Sequence, residues 1–133
     1  SEFKNLKETD ALVLMGHGTT HQINTAYAEL DRHFKSLGHS NVFIGTVEAD
    51  PTIHDLVQEV TAFHPTAIYL TPFMIVAGDH AHHDMAGDSP DSWVGQFHAA
   101  GFEVYPVLKG LGEYPGIRAL FVEHVKEAIS ALY

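Results

Sequence analysis

Short, mostly apolar runs alternate along the chain with longer stretches in which apolar residues recur every three or four positions. Brief runs that end at Gly, Glu or Pro are typical of buried strands, which read as nearly continuous hydrophobic segments. The longer stretches have the spacing of amphipathic helices. The runs predict four strands, at residues 11–15, 42–47, 67–72 and 102–107.

The stretches between the runs predict helices. Residues 20–37 keep helical spacing, and Thr19 and Gln22 stand at the separation of a capping box. A second helix is predicted to begin with Asp50 as its N-cap and Pro51 at its first position. The inner face of this helix is predicted to carry Ile53, Leu56, Val57, Val60 and Phe63.

Two more helices complete the pattern. One covers residues 90–100 and carries Trp93 and Phe97, and a closing helix follows the fourth strand. Four alternations of strand and helix predict an α/β protein, a single doubly wound lobe with a four-stranded parallel sheet flanked by helices. Residues 1–10 are expected to be a polar leader and residues 11–133 the lobe itself. The closing helix is marked by Ile117, Leu120, Phe121, Val125, Ile129 and Leu132.

Composition narrows the class of partner. The 133 residues, 45% of them apolar, suit one packed core. Seven basic against 17 acidic residues give a formal net charge of -10, which argues against nucleic acid and against an acidic membrane surface as partners. With no cysteine and 11 histidines, any metal site has to use His, Asp, Glu or backbone oxygens.

No segment predicts insertion into a membrane. The longest apolar run, AIYLTPFMIVAG, is interrupted by Thr71 and Pro72 and is shorter than the roughly 20 residues of a spanning helix. No signal peptide is visible, so we expect a cytoplasmic protein. A periplasmic location stays open, because the polar opening SEFKNLKETD is similar to the cut end of a longer chain.

Chemistry-bearing residues follow the predicted strands. In open parallel sheets, ligands bind beyond the carboxyl ends of the strands, where the loops converge. His17 and Glu48 come one or two residues after the first and second strands, and His80 opens the loop beyond the third. Two imidazoles and one carboxylate suit divalent first-row metals such as cobalt, iron, nickel or zinc. The alternative is that His17 is a loop residue between two glycines and Glu48 only favours a helix N-terminus.

Two further motifs leave alternatives open. GHGTT after the first strand is similar to a phosphate-binding turn, but it lacks the Lys of a P-loop and the third Gly of a dinucleotide turn. GDHAHHDMAGD, residues 78–88, is predicted to be a loop. A local metal site of His80, His82, His83 and Asp84 is one interpretation, but adjacent residues of an extended loop point apart, which favours a solvated segment.

Together the motifs resemble the anaerobic sirohydrochlorin cobaltochelatases, the class II, ATP-independent chelatases. The resemblance is to the second, C-terminal lobe of that family and extends over about residues 10–129, with the motifs in matching order. It implies a lyase that inserts Co2+ into sirohydrochlorin in cobalamin biosynthesis. The motifs are MGHGT, VEADPT, TPFMIVAGDHAHHDMAGD, DSWVGQF, AAGF and GLGEYPGIRALFVEH.

The resemblance also implies roles for particular residues. His17, Glu48 and His80 match the metal ligands, and His17 matches the base that takes a pyrrole proton, with Glu48 as a second acceptor. Co2+ is implied as the metal substrate, and Fe2+, Ni2+ or Zn2+ would suit the same donors. Apolar residues near the strand ends are candidate contacts for the macrocycle, with a place in the core as the alternative. They are Phe73, Met74, Met85, Trp93 and Leu111.

The family's enzymes have two lobes that enclose the substrate, and the resemblance covers one. It therefore implies a protein partner, either the missing N-terminal lobe or a second copy of the chain, beside the sirohydrochlorin-type tetrapyrrole. Alternative functions are a ferrochelatase or nickel chelatase of the same class, or a non-catalytic module that binds metal or tetrapyrrole without turnover.

Overall fold

A computed structural model describes residues 6–17, 25–48, 51–74 and 78–132. Strands and helices alternate, as the hydrophobic pattern predicts. The strands are β1 (Ala11–Gly16), β2 (Val42–Thr46), β3 (Ile68–Pro72) and β4 (Val104–Pro106). The helices are α1 (Thr25–Ser36), α2 (Ile53–Phe63), α3 (Asp79–Ala86), α4 (Trp93–Ala99) and α5 (Pro115–Leu132), with a 3-10 turn at Leu111–Glu113.

The four strands form one parallel sheet in the order β2-β1-β3-β4. The chain leaves β1 towards β2 on one side and then crosses to β3 on the other. This reversal opens a crevice at the carboxyl ends of β1 and β3, which is where open α/β sheets bind ligands. The predicted fold class, a parallel four-stranded sheet flanked by helices, is confirmed.

Helices α2, α3 and α4 cover one face of the sheet. Met85 of α3 and Phe97 of α4 are fully buried there, and Trp93 is 3% exposed. The predicted inner face of α2 is confirmed, because its five apolar residues are buried in or packed against this core. The buried residues are Ala11, Val13, Met15, Phe43, Leu56, Val60, Ile68, Leu70, Met85, Trp93, Phe97 and Val104.

The opposite face carries a smaller core over β1 and β2. Tyr27, Leu30 and Phe34 of α1 pack there against Leu14 and Ile44. Among the contacts of the described residues, helix α5 meets the 3-10 turn that precedes it.

The segment before β1 takes part in the fold at its end. Asp10 is 4% exposed, and its carboxylate accepts the Lys7 N–H at 3.0 Å. Asn41, just before β2, donates its side-chain amide to the Asp10 carbonyl at 3.0 Å. The Thr66 N–H, just before β3, donates to the Thr9 carbonyl at 2.8 Å. These bonds align the amino ends of the three strands.

The start of α2 differs from the prediction. The N-cap is Thr52, whose hydroxyl accepts the Asp55 N–H at 3.4 Å while the Asp55 carboxylate accepts the Thr52 N–H. This reciprocal pair satisfies two donors at the helix end, so it fixes the cap after the Pro rather than before it. Asp50, Thr19 and Gln22, the predicted capping residues, lie outside the described residues.

The histidine-rich stretch is a helix, and its prediction as an extended loop is wrong. Met85 anchors α3 by burying its whole side chain in the core. The Gly87 N–H donates to the His83 carbonyl at 3.1 Å and ends the helix. A Cβ at Gly87 would lie 2.6 Å from that oxygen, so glycine is required at this position.

Helix α5 confirms the predicted closing helix, but its apolar residues do not all pack inward. Leu120, Val125 and Ile129 are 57%, 57% and 51% exposed. The side chains of Phe121 and Leu132 lie outside the described residues. Although α5 has 18 residues, no helix within the described ranges is long and apolar enough to cross a bilayer.

We expect Gly45→Ala to destabilise the protein, because α2 and α4 approach β2 closely at this position. A Cβ there would lie 2.8 Å from Leu56 Cδ2 and 3.1 Å from Trp93 Cη2. Overpacking of this kind costs about 1–3 kcal/mol, measurable by urea unfolding. Gly116→Ala is the control, since a Cβ at Gly116 in α5 meets nothing within 4 Å. It should be neutral or gain up to about 1 kcal/mol from helix propensity, and equal losses in both variants would contradict the prediction.

We expect Glu59→Gln to stabilise the protein at neutral pH. Desolvation, with the Asp31 carboxylate as a second cause, raises the pKa of Glu59. The pKa of Glu59 is higher in the folded protein than in the unfolded chain. Its favourable contribution to the free energy of unfolding therefore exists below the ordinary Glu pKa of about 4.3 and is lost as the pH rises through the raised value. Urea midpoints should therefore be higher for the variant at pH 7 and converge with the parent below about pH 4. Glu59 is itself exposed, so the gain should be small, and Glu29→Gln, at another exposed helix position, removes the same charge and should not show it.

Candidate metal centre

Main-chain bonds continue past the ends of β1 and β2 and hold their next residues side by side. The Val47 N–H donates to the Gly16 carbonyl at 3.0 Å, and the Glu48 N–H donates to the His17 carbonyl at 3.0 Å. The Phe73 N–H donates to the Met15 carbonyl at 2.7 Å on the other side of β1. These hydrogen bonds hold the backbone in place at the carboxyl edge of the sheet.

The side chains of His17 and Glu48 approach each other at this edge. The His17 Nδ1 atom lies 3.7 Å from Glu48 Oε2, and both side chains are 61% exposed. An ion pair forms at this distance when His17 is protonated, but a pair so exposed contributes little to folding. An imidazole nitrogen beside a carboxylate oxygen, both open to solvent, can instead bind a divalent cation that arrives from solution.

A larger residue in place of Gly16, just before His17, would displace the Tyr27 ring. A Cβ at Gly16 would lie 2.5 Å from Tyr27 Cε1 and 3.0 Å from Tyr27 Cζ. The Tyr27 ring of α1 therefore rests on the backbone at the end of β1. This contact positions the strand end that carries His17 against α1.

The third predicted ligand is only partly described. His80 is the second residue of α3, whose N-cap is Gly78, but its side chain lies outside the described residues. Among the residues that are described, no three His, Asp or Glu side chains meet in an arrangement that could hold a metal ion. The structure thus brings His17 and Glu48 together and leaves the contact of His80 with them as a prediction.

Two other polar residues of α3 border a cleft beside Val47. His82 and His83 are exposed and Asp84 is half-buried. His83 and Asp84 border an open cleft of about 380 Å³, which also contacts Val47 next to Glu48. Sequence reasoning missed this cleft, because it exists only when residues 79–86 form a helix beside α4.

The predicted macrocycle contacts divide into two groups. Phe73, Met74 and Leu111 are half-buried at the carboxyl edge, and the Leu111 N–H donates to the Met74 carbonyl at 2.7 Å. Met85 and Trp93 are 0% and 3% exposed. Both are buried in the core, which favours the alternative of a structural role, and their contact with a ligand stays a prediction.

The family model and the curated relatives that match this chain agree on one family. The family model for cobalt chelatase (CbiK) matches residues 1–130. A sirohydrochlorin cobaltochelatase of Salmonella typhimurium is 42% identical over 97% of this chain and 48% of its own length. The sirohydrochlorin cobaltochelatase CbiKC of Nitratidesulfovibrio vulgaris is 35% identical over 95% of this chain and 44% of its own length. The chain spans about half the length of the curated relatives it matches.

A solved structure shares the fold. It is described as a cobalamin (vitamin B12) biosynthesis CbiX protein from Marinobacter aquaeolei, and its TM-score is 0.67 at 18% identity. The alignment covers 92% of this chain and 98% of that one. At this identity the likeness supports the architecture of the lobe.

We expect Met85→Ala to lower the free energy of unfolding by about 2–5 kcal/mol, because the substitution empties a fully buried site. Leu111→Ala, at a half-buried position on the carboxyl edge, should cost clearly less. Urea unfolding of the two variants measures the difference. A Met85→Ala protein as stable as the parent would show that this side chain is not a core anchor.

Proposed function

Because the chain belongs to the cobalt chelatase (CbiK) family, we propose that it forms the metal-binding lobe of a sirohydrochlorin cobaltochelatase. In this function it presents Co2+ to the tetrapyrrole and accepts the protons that the metal displaces. The 3.7 Å approach of His17 and Glu48 at the carboxyl edge carries the proposal. The names of its relatives, both sirohydrochlorin cobaltochelatases, support the choice of substrate.

The donor set suits a metal that is bound and then released. His17, Glu48 and His80 would supply two imidazole nitrogens and one carboxylate oxygen, which leaves further coordination positions open for the ring. The exposure of His17 and Glu48 gives the incoming ion and the macrocycle direct access. The donors do not select cobalt over iron, nickel or zinc, so metal choice is expected to depend on supply and on the ring.

The ligands become proton acceptors as the metal leaves. Insertion of a divalent cation into a free tetrapyrrole replaces two pyrrole N–H protons, so two positive charges leave the protein as two protons arrive. A neutral imidazole that has released its metal can take a proton near neutral pH, which gives His17 the role of general base. Glu48 takes or relays the second proton, and the charge of the site stays balanced throughout.

The macrocycle has to be enclosed from two sides, and this lobe contacts one of them. Phe73, Met74 and Leu111 are the half-buried apolar residues at the carboxyl edge, and we assign them to the macrocycle. The chain spans only about half the length of the curated relatives, which supports contact with the other side of the macrocycle by another lobe or by a second copy of the chain.

Cobalt titration by calorimetry tests the metal site. We expect His17→Ala, Glu48→Gln and His80→Ala each to weaken Co2+ binding at least tenfold, which corresponds to about 1.4 kcal/mol. His98→Ala is the matched control, because His98 is exposed at the far end of α4 and should not alter the affinity. Equal cobalt affinity in all the variants would contradict the proposed ligand set.

An absorbance assay for cobalt insertion into sirohydrochlorin then tests the reaction. Turnover that His17→Ala abolishes, with an unchanged urea midpoint, supports the chelatase. Cobalt binding without turnover is the result expected of a lobe that lacks its second lobe, whereas no turnover after the second lobe has been supplied would favour the non-catalytic binding module.

A further inference from the structure

A lysine follows β4 at the carboxyl edge of the sheet. Lys109 is half-buried and stands in the segment that leads from β4 to the 3-10 turn. Its Nζ atom lies 4.5 Å from the centroid of the Tyr114 ring, within the range of a cation–π contact. A lysine side chain is long and flexible, and this contact restricts the position of the ammonium.

Main-chain bonds fix the segment that carries this lysine. The Val107 N–H donates to the Leu70 carbonyl at 2.7 Å and extends the pairing of β4 with β3. The Lys109 N–H donates to the Val107 carbonyl at 3.0 Å. The Gly110 N–H donates to the Glu113 carboxylate at 2.8 Å. The backbone on both sides of the lysine is therefore held in place.

The order of the strands places Lys109 to one side of the metal site. In the sheet, β4 is next to β3, and β3 is next to β1, whose end leads directly to His17. The ends of β4 and β1 are therefore two strand spacings apart, roughly 10 Å. Between them lie Met74 and Leu111, which are joined by their 2.7 Å main-chain bond and which we assign to the macrocycle.

The charged groups described around the candidate site are mostly acidic. Glu48 belongs to the site, and Asp84 and Asp91 border the cleft next to it. Among the Lys and Arg residues in the described ranges, only Lys109 lies in a segment that directly follows a strand. Carboxylates at this edge repel an anionic ligand, so such a ligand needs a cation where its own negative groups arrive.

Sirohydrochlorin is an anion with its charges at the rim. Its carboxylates end the acetate and propionate arms of the macrocycle, whereas the metal enters at the centre of the ring. An ammonium that lies to one side of the metal site is therefore suited to an arm. A lysine ammonium has three N–H donors, so it can bind a carboxylate and keep other contacts at the same time.

We infer that Lys109 binds a carboxylate arm of the tetrapyrrole and so sets the rotation of the ring above the metal. The inference rests on the proposed function and adds an ion pair at the rim to the apolar contacts with the ring. One fixed point at the metal and one at the rim define the rotation of a planar ring. The lobe then prefers rings with charged arms over rings with neutral arms, because only charged arms gain the ion pair.

Binding of metal-free sirohydrochlorin to the purified chain, followed by absorbance, tests this contact without turnover. We expect Lys109→Met to weaken binding roughly fivefold or more, because methionine keeps an apolar stem and lacks the charge. Lys109→Arg should stay within threefold of the parent, since a guanidinium also binds carboxylates and aromatic rings. An arginine variant as weak as the methionine variant would contradict a role for the positive charge.

Lys35→Met is the matched control. Lys35 also lies over an aromatic ring, with Nζ 5.1 Å from the Phe43 centroid, but it is in the last turn of α1, which leads into the amino end of β2. The variant loses the same charge and the same kind of ring contact, and it should keep its sirohydrochlorin affinity within twofold. Urea unfolding confirms that both methionine variants are folded. Equal weakening by Lys35→Met and Lys109→Met, or no weakening by Lys109→Met, overturns the inference.

A sirohydrochlorin analogue with amides in place of its carboxylates separates charge recognition from a structural effect. The parent should bind the analogue roughly fivefold more weakly than sirohydrochlorin, and Lys109→Met should bind the analogue as the parent does. A parent chain that binds both rings equally, or neither ring, overturns the inference. An equal loss of affinity for both rings in Lys109→Met also overturns it, because a structural change would have that effect.

Cobalt titration separates this inference from the proposed function. Lys109→Met should bind Co2+ as the parent does, because Lys109 is not one of the proposed ligands. If sirohydrochlorin binding depends on Lys109 while the parent binds no cobalt, the proposed metal site fails and the carboxylate contact stands. If cobalt binding depends on His17 and Glu48 but Lys109→Met changes no affinity, the metal site stands and the inference fails.

Discussion

The parallel pairing of β1 with both β2 and β3 is the constraint on which the rest of the structure depends. Parallel strands bring their carboxyl ends to one edge, so loops that are distant in sequence begin side by side. Main-chain bonds from Val47 and Glu48 to Gly16 and His17 extend this alignment beyond the strands. The backbone of both functional residues is thus positioned by the sheet itself.

Local rules in the sequence were sufficient to predict the sheet and two of the three residues of the candidate site. Apolar runs of strand length, each followed by helical spacing, predict four parallel strands, and the strand ends predict the neighbourhood of His17 and Glu48. The structure agrees, with these side chains 3.7 Å apart. Their roles in metal binding remain predictions, as does the contact with His80.

The features that the sequence did not predict depend on tertiary contacts. The polar composition of residues 79–86 predicts a loop. They form a helix instead, which is anchored by the buried side chain of Met85. Trp93 follows the histidine-rich segment closely in sequence, but its ring lies against Gly45, where α4 approaches the sheet. The apolar residues of α5 were recognisable as a helix, but periodicity alone does not say that Leu120, Val125 and Ile129 stay exposed.

Main-chain hydrogen bonds hold the backbone of His17 and Glu48, so the identity of these two residues should matter little to the stability of the fold. Both side chains are 61% exposed, so replacing either one removes little packing. Mutational change at this edge is therefore tolerated by the core, and selection can act on the donor atoms directly. Descendants of such a lobe can change their metal preference by one or two substitutions without acquiring compensating changes elsewhere.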